Sequence, residues 1–172
     1  MAMSFPAQSP LFSSCSLLMT LLFAYSASVQ LDDPDWYFWL PLYAVASAVN
    51  LSQALSFQSK VLAQVSEFAL WGGVFLLLKV VCEACHVDGV GGLWSMDMRE
   101  RVVREKIGSG LVVISMILYL KATSHASKVP KRGKSEQAPT SLGYGKGMAI
   151  LVAVSFGLSF YFFLSVKEQM RF

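Results

Sequence analysis

Three long stretches of this 172-residue chain contain no Asp, Glu, Lys or Arg, and they constrain the fold more than any other feature. They cover residues 1–31, 36–59 and 147–166. A helix needs roughly 20 apolar residues to cross a hydrocarbon core about 30 Å thick, and each stretch meets that requirement. A water-soluble domain of this size has too small an interior to bury three such segments. The sequence therefore predicts an all-α fold, a polytopic transmembrane helical bundle surrounded by the lipid bilayer.

The chain is predicted to form a single membrane domain, residues 1–172, with five spans. The predicted spans are residues 11–30, 36–57, 61–81, 107–123 and 147–166. The third is interrupted by charged residues and the fourth is short, so four spans are the alternative if either of them only lies in the interface. Residues 124–146 are basic and rich in Ser, Gly and Pro, and they are predicted to form a mobile loop.

The orientation follows from the placement of the basic residues. The basic loop is the natural cytoplasmic segment, which places the N-terminus in the cytoplasm if there are five spans. The first apolar run lacks a basic segment before it and is long enough to span, so we interpret it as a retained helix and not as a signal peptide. Because the Lys and Arg residues lie in loops beside spans, the slight positive net charge does not indicate a nucleic-acid partner. The sequence does not indicate which organelle holds the protein.

Residues 94–106, WSMDMRERVVREK, have helical periodicity. Trp94, Met98 and Val102 share one face, and oppositely charged residues such as Arg101 and Glu105 recur four positions apart. This segment is predicted to be a solvated extension of span four or an interfacial helix. Small residues at the start of span four, including Gly108 and Gly110, would permit a neighbouring helix to approach closely.

Three carboxylates, Asp32, Asp33 and Asp35, lie in four residues between the first two spans. The favoured interpretation is a capped turn, in which Asp33 accepts from the free N–H groups of the first helical turn and Pro34 occupies the next position. Asp35 and Trp36 then lie at the positive end of the helix dipole. The alternative is a Ca²⁺ or Mg²⁺ site, but the spaced Gly and closing Glu of a calcium loop are missing.

Aromatic residues follow the acidic turn directly. Trp36, Tyr37 and Trp39 come within the first four positions of span two. Amphipathic aromatic rings are enriched at the membrane–water interface. All three side chains are therefore predicted to lie at that depth.

The motif CEACH places Cys82, Cys85 and His86 at the spacing that attaches c-type haem, with the His as the proximal iron ligand. The motif follows a membrane span directly and has no soluble domain around it. Met96 or Met98 would have to supply the distal ligand. Haem is therefore an alternative and not the favoured interpretation.

The same Cys pair has simpler interpretations. Zinc would need a fourth ligand, such as Asp88, beside the two thiolates and the imidazole. A juxtamembrane Cys pair can carry palmitate if it is cytoplasmic. Two reduced residues at the end of a span are the interpretation we favour, so no cofactor is predicted.

Glu67 and Lys79 are charged residues inside the otherwise apolar third span, and such residues are functional candidates by default. They are twelve residues apart, roughly 18 Å along a helix, so they cannot pair with each other. The long stem of Lys79 lets its amino group reach the interface. Glu67 is the better candidate for an intramembrane polar role, with Asn50 or Gln53 of span two as partners.

The run AYSASVQLDDPDWYFWLPLY, residues 24–43, resembles the signature of the transmembrane protein 220 family. The resemblance continues at SGLVVISMILYLKATS, residues 109–124, and at KEQMR, residues 167–171. This chain has Asp32 where the family usually has Asn, and a longer basic loop before the last span. The resemblance implies a small multi-span helical membrane protein, and it brings neither an established activity nor a haem motif.

The predicted function is that of a non-enzymatic accessory, scaffold or assembly component, with membrane proteins as possible partners. The first alternative is a small transporter or channel-like protein that uses Glu67. The second is a membrane redox protein with c-type haem at the CEACH motif. Recognisable phosphate-binding loops and Ser/His/Asp sets are missing from the sequence, so enzymatic activity is not predicted.

Overall fold

The computed structural model describes residues 10–57, 59–88, 101–128 and 138–169, and these residues form five α-helices. A 3₁₀ turn at Gln30–Asp32 links the first helix to the second. The helices are α1 Pro10–Val29, α2 Trp36–Ala54, α3 Lys60–Asp88, α4 Arg101–Lys128 and α5 Ala138–Gln169. The prediction of an all-α membrane bundle is confirmed.

Four of the described helices contain a segment long and apolar enough to cross a membrane, and α2 is the exception. Its 19 residues would extend about 28 Å, close to the thickness of a hydrocarbon core. It carries no Asp, Glu, Lys or Arg, and Trp39, Ala46 and Val49 on it are fully buried inside the bundle. The five-span prediction therefore depends on the placement of α2 among its neighbours.

Hydrogen bonds between α1 and α2 show that these two helices lie side by side. Ser13 of α1 donates to the carbonyl of Ala54 over 2.6 Å, and Ser47 of α2 donates to the carbonyl of Thr20 over 3.1 Å. The start of α1 therefore meets the end of α2, so the two helices are antiparallel. If α1 crosses the bilayer, α2 accompanies it through most of the same thickness.

The order continues with α3 and α4. Asp35, just before α2, contacts Lys79 near the end of α3, so α2 and α3 are also antiparallel. Asp35 contacts Arg101 at the start of α4, and Asn50 contacts Ser115 farther along both helices, so α2 and α4 are parallel. Helices α1 to α4 therefore alternate in direction.

The core lies where α2 contacts α1, α3 and α4. Buried residues from all five helices contribute to it, among them Phe23, Trp39, Leu76, Met116 and Leu151. Helix α5 packs against α1 and α4, with the Ser155 hydroxyl 3.9 Å from the Met19 sulfur. Membrane helices associate through close packing and interhelical hydrogen bonds, because lipid provides little hydrophobic driving force between them.

The helix ends differ from the predicted spans. Helix α3 continues to Asp88, so the CEACH motif is helical. Helix α4 continues to Lys128 and α5 begins at Ala138, so the predicted mobile loop 124–146 is wrong at both ends. Polar residues that follow a span can continue its helix into water. Pro139 is tolerated in the first turn of α5, because N–H groups in a first turn have no partner within the helix and the missing N–H of Pro therefore costs no hydrogen bond. Residues 129–137 lie outside the described part.

Residues 101–106 are helical and continue directly into the fourth span, which agrees with the prediction that this segment extends span four. The remainder of that segment, including Trp94 and Met98, lies outside the described residues.

Helix α2 ends at Ala54, and Ser56, two residues later, has a φ of 55° in the left-handed region. The N–H of Ser56 donates to the Gln53 carbonyl over 3.0 Å, and that of Phe57 donates to the Ser52 carbonyl over 2.8 Å. This is a Schellman motif, in which Gly is the favoured residue at the left-handed position.

Replacing Ser56 with Gly is expected to stabilise the protein by about 1 kcal/mol, since Gly adopts this conformation without the steric cost that other residues carry. Thermal unfolding in detergent should show a melting temperature about 2–4 °C higher. Ser52→Gly is the matched control inside the helix and should lower the melting temperature instead. A fall with Ser56→Gly would contradict the assigned motif.

Candidate functional site

Four charged side chains meet where α2 and α4 begin, beside the C-terminal half of α3. We call this group the ionic cluster; it consists of Asp35, Lys79, Arg101 and Glu105. It brings together residues from three parts of the chain. Its two carboxylates and two cations make it neutral as a whole.

Asp35 is the centre of the ionic cluster. Its Oδ1 accepts from Arg101 Nη2, while Lys79 Nζ lies 3.5 Å from Oδ2. Trp39 Nε1 also donates to Oδ2, over 3.2 Å. Partial burial acts to raise the pKa of Asp35, but the indole hydrogen bond and the nearby Arg101 and Lys79 charges outweigh it, and the pKa lies below its usual range. The carboxylate is therefore ionised at neutral pH.

Glu105 is the most buried member of the ionic cluster, at 3% exposure. Arg101 Nε donates to its carboxylate from one helical turn away, which is the pairing that their four-residue spacing predicted. The same guanidinium therefore bridges Glu105 and Asp35. A buried carboxylate is costly unless it is paired, so Arg101 is the residue that makes this position tolerable.

The structure corrects the predicted cap. Helix α2 begins at Trp36, and the cap position is Asp35, whose side chain makes no capping hydrogen bond. Pro34 therefore precedes the helix, and the chain turns through backbone bonds, including one from the Trp36 N–H to the Asp33 carbonyl over 3.1 Å. The prediction that Asp33 caps the helix is wrong, because the helix begins later and the cap position falls on Asp35. The Asp35 carboxylate bonds to two cations from other helices and not to the first turn of α2.

The same contacts bear on the predicted cation site. Both oxygens of Asp35 are engaged by Lys79, Arg101 and Trp39, so a hard cation would have to displace two positive charges. Within the described ranges, the His, Cys, Asp and Glu residues form no group of three or more that could hold a metal ion.

The aromatic residues after the turn divide into two groups. Trp36 and Tyr37 are exposed, at 46% and 55%, on the outside of the bundle. Trp39 is fully buried inside the bundle, and its predicted depth at the interface stays a prediction. It belongs to a stack with Tyr43 and Phe23, whose ring centroids are 6.2 and 6.3 Å apart along the stack. The indole N–H satisfies its hydrogen-bonding capacity on Asp35, which is why a Trp can be fully buried beside the ionic cluster.

Glu67 does not meet its predicted partners. It is exposed on the outside of α3, whereas Asn50 and Gln53 are buried in the interior at 2% and 1% exposure. Asn50 donates instead to the Ala46 carbonyl over 2.8 Å and to the Ser115 hydroxyl over 3.0 Å. The predicted set fails because the face of α3 that turns inward carries Ser66 and not Glu67.

Lys79 was predicted to extend its long side chain towards the membrane interface. In the structure its amino group contacts the Asp35 carboxylate. The sequence did not identify this partner, because the two residues are 44 positions apart. Glu105 was also missed as a buried carboxylate. The only local signal was its spacing from Arg101.

The CEACH motif lies on the last turns of α3, where both Cys residues and His86 are exposed. His86 Nδ1 is 3.0 Å from the Cys82 carbonyl oxygen, an ordinary contact between residues one turn apart. Both thiols are free. The proposed distal ligands Met96 and Met98 lie outside the described residues, and the haem and zinc hypotheses stay predictions.

A comparison with protein families finds one that fits these features. The family model described as "Transmembrane family 220, helix" matches residues 22–121, which is more than half of the chain. The match includes Asp35, Lys79, Arg101 and Glu105, so the whole ionic cluster lies in the shared region. No solved structure matches the chain.

Proposed function

The chain belongs to transmembrane family 220, and from that premise we propose that it is a non-enzymatic accessory, scaffold or assembly component that binds a partner protein within the membrane. It is an integral membrane protein in contact with lipid. The observation that carries the proposal is the exposed carboxylate of Glu67 on the outer face of α3.

The ionic cluster supports a structural interpretation of the other charged residues in the region. The ion pairs among Asp35, Lys79, Arg101 and Glu105 join the starts of α2 and α4 to the C-terminal half of α3. Their charges balance within the protein. These ion pairs stabilise the bundle. Of the two charged side chains within the third span, Lys79 is paired in this way, whereas Glu67 has no ion-pair partner among the described residues.

Glu67 lies on a continuous outer face of α3 that we call the aromatic face, together with Phe68, Trp71, Phe75 and Leu78. At 3.6 residues per turn these positions fall within an arc of about 100°. The four apolar side chains are 57–78% exposed. The opposite side of the helix, including Ser66 and Leu76, faces the core.

A carboxylate on the outside of a membrane span needs a partner or a route to water. Glu67 lies seven residues after Lys60, about 10 Å into the helix, and its side chain is shorter than that of a Lys. A partner helix that carries a Lys, Arg or neutral donor side chain would satisfy it, while the rings of the aromatic face supply packing area. Binding of such a helix is the function that this face supports best.

Replacing Glu67 with Gln is expected to weaken partner binding about three- to tenfold, the range that corresponds to one intramembrane polar contact. The measurement places a photo-crosslinking amino acid at Phe75 in native membranes and quantifies the adducts. The matched control is Glu83→Gln, because Glu83 is an exposed carboxylate near the other end of the same helix.

A second crosslinking position, Ile150 on α5, reports nonspecific capture, since this side chain is also exposed, at 66%. Specific adducts should form at Phe75 and decrease with Glu67→Gln alone. Equal adducts at both positions, or equal yields with both Glu variants, would contradict the proposal. A proton-coupled flux in liposomes that Glu67→Gln abolishes would identify the transport alternative instead.

A further inference from the structure

Unpaired polar side chains lie in the interior of the bundle on α2 and α4. Gln53 of α2 is 1% exposed, and neither its side-chain oxygen nor its nitrogen has a hydrogen-bonding partner within the part of the chain that the structure describes. Tyr119 of α4 is 2% exposed, and its hydroxyl is likewise unpaired among those residues. The buried hydroxyl oxygen of Thr123, one turn beyond Tyr119, is in the same position.

Gln53 and Tyr119 face the same three-helix interface. Leu42 of α2 and Val112 of α4 both lie against Gly73 of α3, where an added Cβ would be 3.8 Å from Leu42 Cδ1 and 3.5 Å from Val112 Cγ1. Gln53 follows Leu42 by eleven residues and Tyr119 follows Val112 by seven. At about 100° per residue, each shares the face of the earlier residue to within about 20°. Both side chains therefore turn towards α3.

The two side chains also lie at the same level of the bundle. The Asn50 amide donates to the Ser115 hydroxyl over 3.0 Å, which places these residues side by side on the parallel helices α2 and α4. Gln53 lies about 4.5 Å beyond Asn50, and Tyr119 lies about 6 Å beyond Ser115 in the same direction. Three residues fall about 60° short of a full turn and four pass it by about 40°. On parallel helices that face each other, these opposite rotations point to the same side of the contact.

Ser66 is the residue of α3 that meets this group. It is fully buried and precedes Gly73 by seven residues, so it lies on the same face of α3. Ser66 and Thr123 lie near the Tyr119 hydroxyl. Neither completes a hydrogen bond with it. The Ser66 hydroxyl donates to the Leu62 carbonyl over 2.6 Å, so its oxygen can still accept.

Unpaired polar groups in this position carry a large penalty. A buried amide without partners loses the hydrogen bonds that its two donors and its acceptor make to water in the unfolded chain. The lipid around a membrane bundle cannot restore them. Asn50, one turn before Gln53, avoids the penalty because its amide is paired with the Ala46 carbonyl and with Ser115. Gln53 and Tyr119 need a partner that both donates and accepts.

We infer that ordered water occupies this interface and bridges Gln53 to Tyr119. Polar groups that face each other without a direct hydrogen bond are commonly joined in this way. Buried waters make about three hydrogen bonds. Here a water can accept from the Tyr119 hydroxyl and donate to the Gln53 oxygen and to the Ser66 oxygen.

The position of this site gives it a structural role. The water joins α2, α3 and α4 near the end of α2, whereas the ionic cluster joins the same helices near its start. Its presence does not depend on partner binding at Glu67.

The stability test uses the full chain in detergent micelles. Gln53→Met keeps a similar volume without hydrogen-bonding groups, and Tyr119→Phe removes only the hydroxyl. Each should lower the melting temperature by about 2–4 °C, because each removes a bond that holds the water. If one water serves both residues, the double variant should lose clearly less than the sum of the two single losses. Gln64→Met and Tyr25→Phe are the matched controls at exposed positions and should leave the melting temperature unchanged.

NMR gives the direct readout of the water. The Gln53 side-chain amide protons, assigned by their loss in Gln53→Met, should show cross-relaxation with a long-lived water, and Tyr119→Phe should weaken that signal. Absence of the signal at the assigned protons would overturn the proposal, and so would additive effects of the two substitutions. A melting temperature that rises with Gln53→Met would indicate a dry, unpaired amide and would also overturn it.

Discussion

Replacing Gly108 with Ala is expected to lower the free energy of unfolding by about 2–3 kcal/mol, the upper part of the range for overpacked cores. A Cβ at position 108 would overlap the hydroxyl oxygen of Tyr43, with the ring Cζ only 3.1 Å away. Tyr43 cannot move aside easily, because it is 3% exposed and stacked between Phe23 and Trp39. Thermal unfolding in detergent should show a melting temperature about 5–10 °C lower.

Two variants establish the cause of this effect. Gly110→Ala is the matched control, since nothing lies within 4 Å of its added Cβ, and it should be neutral or slightly stabilising. Tyr43→Phe removes the overlapping oxygen, so Gly108→Ala should cost less in a Tyr43→Phe background than in the wild type. Equal costs for the two Gly substitutions would show that α2 and α4 do not approach each other here.

Replacing Arg101 with Gln is expected to destabilise the protein by about 2–3 kcal/mol, because it leaves the buried Glu105 carboxylate without its cation. Asp35 loses one of its two cations in the same variant. Removing one partner of a fully buried pair typically costs about 3–5 kcal/mol, but the Arg101 side chain is 39% exposed and solvent screens part of its charge. Chemical or thermal unfolding in detergent measures the loss.

The double variant Arg101→Gln with Glu105→Gln should recover part of the stability, since it removes the stranded carboxylate along with its partner. Arg104→Gln is the matched control, because Arg104 is exposed on the same helix and its replacement should change stability by less than about 0.5 kcal/mol. If the two Arg substitutions have equal effects, the ionic cluster does not hold the helix ends together.

The sequence predicted the class of fold because lipid imposes a strong compositional rule. Charge-free runs such as residues 36–59 and 147–166 mark helices that avoid water, and each contains most of a helix in the structure. The helix ends were harder to predict because charge marks where the membrane stops and not where the helix stops. Helix α3 continues past Lys79 to Asp88 for this reason.

The site was predictable only where its contacts are local. The pairing of Arg101 with Glu105 followed from their four-residue spacing. The contacts of Asp35 with Lys79 and Arg101 span 44 and 66 positions and depend on how the helices pack. A single sequence does not show which face of a uniformly apolar helix turns inward.

Two features that the sequence did not predict share that cause. Trp39 is buried while the neighbouring Trp36 is exposed, although both are equally suited to an interface. Glu67 is exposed while the adjacent Ser66 is fully buried. In each pair the helix places side chains about 100° apart, and only the positions of the other helices decide which one faces the core.

We propose that α2 crosses the membrane as a fifth span, antiparallel to α1 and α3. The most direct test is labelling of single cysteines in sealed vesicles with a membrane-impermeant maleimide, after replacement of the three native Cys residues by Ser. Pro34→Cys and Phe57→Cys place one exposed thiol before α2 and one after it. If α2 crosses the membrane, one of them is labelled in intact vesicles and the other only after permeabilisation. Labelling of both from the same side would contradict it.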